Sequence, residues 1–202
     1  NGSSELMTNL SMSLVNALYN LQLMKIAGEN GVAAYGAVMY VNFIFVATFL
    51  GYAIGCAPVI SYHYGAGNHA ELKNLYKKSM SIILVWGVIL FGAAQLLAPV
   101  LSKIFVGYNT GLYAMTLHGF RVYAIAFLII GINIFGSSFF TALNNGLISA
   151  VISFLRTLVF QVIMVLTLPL WFGINGIWSA ISIAEALTLI MTTTFFVRQK
   201  DK

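Results

Sequence analysis

Long stretches without a charged residue are the feature that most constrains this 202-residue chain. Residues 79–102, 122–155 and 157–184 contain no Asp, Glu, Lys or Arg. About 20 consecutive apolar residues cross the roughly 30 Å hydrocarbon core of a bilayer as an α-helix. The sequence therefore predicts an all-α, polytopic membrane protein. Its function has to be sought in the few polar groups that lie inside the apolar segments.

Turn signals divide the chain into six predicted spans, which form one transmembrane domain over residues 1–202. The spans are predicted at about residues 6–27, 33–60, 79–101, 119–143, 147–170 and 176–197. Asn68 followed three residues later by Glu71 has the pattern of a capping box, which predicts the start of a short surface helix leading into the third span. The sequence Asn144-Asn145-Gly146 predicts the turn after the fourth span.

Composition argues against several other classes of protein. Only 7% of the residues are charged, against about 25% in a typical soluble domain. The net charge of +5 comes from scattered basic residues, which favours lipid headgroups over nucleic acid as the partner. The single Cys56 excludes a disulfide within the chain. His63, His69 and Glu71 lack the spacing of a metal motif, and no catalytic or nucleotide-binding motif is present, so the sequence predicts no enzyme, no metal and no cofactor.

The flanking charges predict an orientation, because basic residues concentrate on the cytoplasmic side of a membrane. With both ends on one side, that side carries Lys73, Lys77, Lys78, Arg156, Arg198, Lys200 and Lys202. The opposite side carries Lys25, Lys103 and Arg121. Both ends are therefore expected in the cytoplasm of a cell whose plasma membrane holds the protein. Aromatic residues of an outer interface are expected where the last two spans meet, at Trp171, Phe172 and Trp178.

The first span carries an unusual polar stripe. Four residues recur at helical spacing on one face, namely Asn9, Ser13, Asn16 and Asn20. Lipid offers such groups no hydrogen-bond partner, so the stripe must face protein or water. It either makes hydrogen bonds between helices or forms the polar wall of a substrate cavity. The fourth span repeats the pattern with Asn133, Ser137 and Thr141, and Asn133 and Ser137 are further candidates for the wall of a substrate cavity. Ser and Thr are also able to bond their own helix, so packing is favoured here.

Two ionisable residues lie deep inside predicted spans. Arg156 is about ten residues into the fifth span, and Glu185 is about ten residues into the sixth. A charge at the centre of a bilayer costs about 2.5–3.5 kcal/mol even on the lenient insertion scale. The two helices are joined by a short connection, so the sequence predicts a buried ion pair between Arg156 and Glu185, or a role for the two residues in ion coupling.

A resemblance to a known family rests on two elements. The run from Gly51 to Ala66 resembles the G-x-x-x-G-x-x-P-x-x-x-x-x-x-G-A element that follows the eighth helix of MATE (multidrug and toxic compound extrusion) transporters. The segments 153–156, 168–169 and 173–178 are similar to the eleventh and twelfth helices of that family. The similarity extends in order over nearly the whole chain.

The resemblance implies the C-terminal six-helix lobe of a twelve-helix transporter, with an N-terminal lobe as its partner. It further implies export of drugs or other organic cations by alternating access, driven by Na⁺ or H⁺. The cation-binding carboxylates of some members, in helices seven, eight or ten, have no counterpart here, because Glu5 lies at the mouth of the first span and spans two to four contain no acidic residue. A flippase for lipids or polysaccharide precursors from the same superfamily, and a membrane assembly subunit without transport, remain alternatives.

Overall fold

The structure, a computed structural model, describes the backbone of residues 2–200 and the side chains of residues 10–197. In this described part of the chain there are α-helices and no β-strand, which confirms the predicted all-α fold. The helices are α1 Gly2–Gly65, α2 His69–Val106, α3 Thr110–Tyr123, α4 Phe127–Ala142, α5 Gly146–Phe154, α6 Phe160–Phe172 and α7 Ile174–Lys200. A 3-10 turn, Ala124–Ala126, joins α3 to α4, and a π-helical turn, Leu155–Val159, joins α5 to α6.

Helix α1 consists of two arms that reverse direction at Gly28. This glycine has φ 63° and ψ −155°, a conformation that a residue with a Cβ atom rarely adopts. The rings of Tyr19 and Tyr35, on either side of Gly28, stack with their centroids 5.0 Å apart. In one continuous helix they would be about 24 Å apart along the axis. Residues 2–27 are called the first arm below, and residues 29–65 the second arm.

Five helical segments of the described residues are long and apolar enough to cross a membrane: Leu10–Gly65, His69–Val106, Thr110–Ala142, Gly146–Phe172 and Ile174–Val197. The first has 56 residues, more than twice the length that one crossing needs, and it contains both arms of α1. The reversal at Gly28 therefore lets this one segment cross a bilayer twice.

Asparagine side chains begin three of the helices. Asn68 accepts a hydrogen bond from the main-chain N–H of Glu71 at 3.1 Å, as the capping pattern predicted. Asn109 and Asn145 cap α3 and α5 in the same way. Each cap satisfies one of the N–H groups that the first turn of a helix leaves without a partner. These caps fix where α2, α3 and α5 start.

Helix α4 lies at the centre of the bundle, in contact with α1, α2, α5 and α7. Its large side chains Phe127, Phe135 and Phe140 are at most 2% exposed. The three aromatic residues expected at an outer interface differ in their exposure. Trp171 and Phe172 are exposed as expected, but Trp178 is 1% exposed, because its indole packs against Gly119, where a Cβ atom would collide with the ring.

Candidate functional site

A cavity of about 410 Å³ opens between both arms of α1, the end of α3, helix α4, the π-helical turn, the start of α6 and α7. We call it the lobe cavity. Most of its wall is apolar or aromatic, and it is lined by Met12, Val15, Asn16, Tyr19, Tyr35, Met39, Asn42, Phe43, Val46, Leu50, Tyr123, Ile130, Ile134, Arg156, Thr157, Gln161, Ile181 and Glu185. A large apolar pocket with a few convergent polar groups is typical of a site for a small organic ligand.

Arg156 and Glu185 lie in contact at the wall of the lobe cavity. The Nε of Arg156 is 2.8 Å from Oε1 of Glu185 and 3.0 Å from Oε2. The carboxylate is completely buried, whereas the arginine side chain is 18% exposed. A charge-assisted hydrogen bond of this kind offsets part of the cost of removing both charges from water.

Asn133 of α4 completes the surroundings of this carboxylate. Its Nδ2 donates to Oε2 of Glu185 at 2.7 Å and to the main-chain oxygen of Glu185 at 2.9 Å. Both carboxylate oxygens are therefore engaged by donors from α4 and the π-helical turn. The Oδ1 of Asn133 has no partner among the described residues, although the residue is fully buried.

A π-helical turn contributes two residues to the wall of the lobe cavity. An α-helix that widens to π geometry gains an extra residue within one turn, which shifts the direction of the side chains that follow. Arg156 and Thr157 both lie in Leu155–Val159 and both line the lobe cavity. Such turns are frequent at functional sites. No Pro or Gly marks this turn in the sequence, so no local pattern predicts it.

The polar stripe of the first arm is largely open. Ser13, Asn16 and Asn20 are exposed, while the side chain of Asn9 lies outside the described residues. Of these, Asn16 lines the lobe cavity, and its Oδ1 accepts a hydrogen bond from the Tyr35 hydroxyl at 3.2 Å. A neighbouring face of the arm, with Val15, Tyr19 and Leu23, packs into the bundle. The stripe therefore lies on a surface that no other part of the described lobe covers.

The stripe of α4 has the opposite surroundings. The Ser137 hydroxyl lies 2.9 Å from the hydroxyl of Ser149 and 2.8 Å from that of Ser153, both in α5. Thr141 adds a contact of 2.6 Å to Ser149. Ser137 does not line the lobe cavity, and its polar neighbours tie α4 to α5.

Several lining residues were not anticipated. Tyr19, Tyr35 and Tyr123 form an aromatic wall, and Asn42 and Gln161 add amide groups. The Tyr19 hydroxyl and the Asn42 carbonyl oxygen are buried and have no partner among the described residues. Tyr19 is three residues after Asn16 and therefore lies on a neighbouring part of the same helix surface. This spacing was the one signal in the sequence that Tyr19 could line a cavity. In an apolar chain a tyrosine there is more often part of the core.

Comparison with known proteins places this arrangement in a family. A family model described as MatE matches residues 6–167. An outward-facing multidrug resistance MATE family transporter of the MOP superfamily is 21% identical, with a TM-score of 0.89 over 100% of this chain and 46% of the other. An inward-facing structure with the same description is 20% identical, with a TM-score of 0.89 over 100% of this chain and 48% of the other.

A third structure has a different description. It is a MOP superfamily transporter from Pyrococcus furiosus Vc1 (DSM3638), described as having a binding pocket of reverse polarity that suggests a different function. It is 21% identical, with a TM-score of 0.88 over 98% of this chain and 45% of the other. A comparison with curated proteins found no match. The chain spans about half the length of the transporters whose structures it matches.

Proposed function

We propose a specific transport function from the premise that this chain belongs to the MatE family. The chain is a membrane transporter lobe by family and fold. In finer terms, it exports drugs or other organic cations by alternating access, in exchange for Na⁺ or H⁺. It does so from the plasma membrane, with both ends of the segment in the cytoplasm. The exposed lysines Lys73, Lys77 and Lys78 at the start of α2 support this orientation, because basic residues concentrate on the cytoplasmic side.

A second six-helix lobe is the proposed partner. The chain covers 46% of the outward-facing transporter that it matches, which leaves room for one more lobe of similar size. The resemblance of Gly51–Ala66 to the element after the eighth helix makes this the C-terminal lobe. Transport by two such lobes relies on the rocking of one against the other around a central site.

The open polar stripe of the first arm is the observation that carries this proposal. Ser13, Asn16 and Asn20 are exposed on the lobe, yet lipid supplies no hydrogen bonds to them. A water-filled path between two lobes satisfies these groups, and it gives a polyspecific transporter many weak contacts in place of a few strong ones. Asn16 connects this path to the lobe cavity.

Rigid-body motion of the lobe fits the structural matches. The chain matches an outward-facing and an inward-facing structure with the same TM-score of 0.89. A lobe whose fold is alike in both states is suited to rocking as one body.

Glu185 is the proposed link to the coupling ion. It is the one acid among the lining residues of the lobe cavity, and Arg156 holds it. A proton or Na⁺ at this carboxylate would weaken its bond to Arg156. Ion binding at Glu185 would then change the strength of the Arg156–Glu185 contact, which couples the ion gradient to the structure of the lobe.

Two alternatives fit the lobe less well. A flippase for lipids or polysaccharide precursors needs a basic cluster for phosphates, and Arg156 is the one basic residue that lines the lobe cavity. A membrane assembly subunit has no use for a cavity of about 410 Å³, which lies in the range of sites for small organic ligands.

Ethidium efflux tests the proposal in cells that express residues 1–202 alone, residues 1–202 together with a second six-helix lobe, or neither. We expect efflux only from cells with both lobes, because one lobe has no partner to rock against. Collapse of the Na⁺ gradient or of the H⁺ gradient should stop it. Efflux by residues 1–202 alone would contradict the two-lobe proposal, and efflux that survives the loss of both gradients would contradict coupling.

A further inference from the structure

The guanidinium of Arg156 is only partly used by its ion pair. Both contacts to Glu185 are made by Nε. Neither Nη1 nor Nη2 has a hydrogen-bond partner among the described residues, and the side chain is 18% exposed at the wall of the lobe cavity. Arginine carries five N–H donors and stays protonated in proteins, so four donors remain for a ligand.

A ligand in the lobe cavity meets the arginine and not the carboxylate. Arg156 and Glu185 are the charged residues in the lining. Glu185 is 0% exposed, and both of its oxygens already accept hydrogen bonds, from Arg156 and Asn133. The cavity thus has no net charge from its lining, yet the charge within reach of a ligand is positive.

We propose that the lobe cavity is a binding site for a singly charged oxyanion on an apolar body, held by the free Nη groups of Arg156. The two Nη groups of a guanidinium match the two oxygens of a carboxylate or of a phosphodiester. A dianion is disfavoured because Glu185 lies directly behind the arginine. Tyr19 adds a buried hydroxyl without a partner, and Phe43 and Met12 supply apolar wall for the body of the ligand.

This site goes beyond the proposed export of organic cations. The open stripe at Ser13 and Asn20 does not line the lobe cavity, so the two surfaces can serve different ligands. The oxyanion has two sources with the same chemistry, an amphipathic organic acid or the headgroup of an acidic lipid. Equilibrium binding to the lobe tests the site without any transport step, so its result does not depend on the efflux experiment.

Three probes with one tail and different headgroups test the site by calorimetry on the 202-residue chain in an uncharged detergent. They are 4-phenylbutyrate, 4-phenylbutan-1-ol and 4-phenylbutylammonium, with empty micelles as the blank. We expect the carboxylate to bind about tenfold more tightly than the alcohol, as a hydrogen bond to a charged group allows, and the ammonium to bind most weakly. Tighter binding of the ammonium, or equal binding of all three, would overturn the proposal.

Two variants test whether Arg156 causes the preference for the carboxylate probe. In R156K the single ammonium stays with Glu185, so the ion pair is kept and the preference for the carboxylate probe should fall to about the level of the alcohol. In R156Q/E185Q no charge is stranded, and the same loss is expected. If the double variant does not fold, R156K alone decides the question. An undiminished preference in R156K would overturn the proposal.

Native mass spectrometry of the purified chain separates the two sources. A bound acidic lipid that R156K loses and that 4-phenylbutyrate displaces identifies the headgroup. Binding of 4-phenylbutyrate to chain without lipid identifies the organic acid. A chain that binds neither overturns the site.

Discussion

The first arm of α1 and helix α4 each carry polar side chains at helical spacing, and their surroundings differ. On the first arm, Ser13 and Asn20 are exposed, and no hydrogen bond to another described residue satisfies them. On α4, Asn133 bonds Glu185 and Ser137 bonds α5. The same sequence pattern therefore serves an open surface in one helix and internal packing in the other.

The position of each helix in the bundle explains this difference. Helix α4 has neighbours on several sides, so any polar group on it meets another helix. The first arm uses one face for packing, through Val15, Tyr19 and Leu23, which are at most 4% exposed. Its polar stripe lies outside that face. Periodicity locates a stripe on a helix, but the topology decides what covers the stripe.

The largest expected effect on stability is at the buried ion pair between Arg156 and Glu185, which Asn133 of α4 contacts. Arg156→Ala leaves a fully buried carboxylate without its cation and should lower the free energy of unfolding by about 3–5 kcal/mol. Glu185→Gln should cost less, because the arginine left behind is partly exposed and the amide can still bond. Thermal unfolding of the purified chain in detergent measures both.

The charge swap Arg156→Glu with Glu185→Arg is the control for this prediction. It keeps both charges, and we expect it to recover part of the stability that Arg156→Ala loses. Unchanged melting in both single variants would show that the contact contributes nothing to folding.

Smaller effects on stability are expected when one asparagine of each stripe is replaced by leucine. Asn133→Leu removes a donor to a buried carboxylate and should cost about 1–3 kcal/mol. Asn20→Leu changes an exposed residue and should stay within about 0.5 kcal/mol of the unsubstituted chain. Thermal unfolding compares the pair. Equal losses of stability in the two variants would contradict the difference between the two stripes.

Much of the fold follows from local sequence. The charge-free runs define membrane helices because a bilayer tolerates few charges, and Asn68 begins α2 because its side chain bonds the first turn. Trp178 shows the limit of such reasoning. An aromatic residue near a span end is typical of the membrane interface. Trp178 instead packs in the core against Gly119 of α3, which is far from it in sequence.

The site was less predictable than the fold. Arg156 and Glu185 stand out as charges in apolar segments, and the short connection between their helices suggested that they meet. The role of Asn133 depends on how α4 lies against α7, which no local pattern encodes. The π-helical turn Leu155–Val159 and the tyrosines of the lobe cavity likewise depend on tertiary packing.

Thiol labelling tests the contrast between the two stripes most directly. Cys56 is the single cysteine of residues 1–202, so Cys56→Ser removes the thiols of this lobe, and the cysteines of the second lobe are replaced in the same way. Asn20→Cys and Ser137→Cys are each placed in that background, in the transporter assembled from both lobes, and treated with a charged, water-soluble methanethiosulfonate. Only a thiolate in contact with water reacts. Rapid labelling at position 20 and slow labelling at position 137 is the predicted result, while equal rates, or faster labelling at 137, would contradict it.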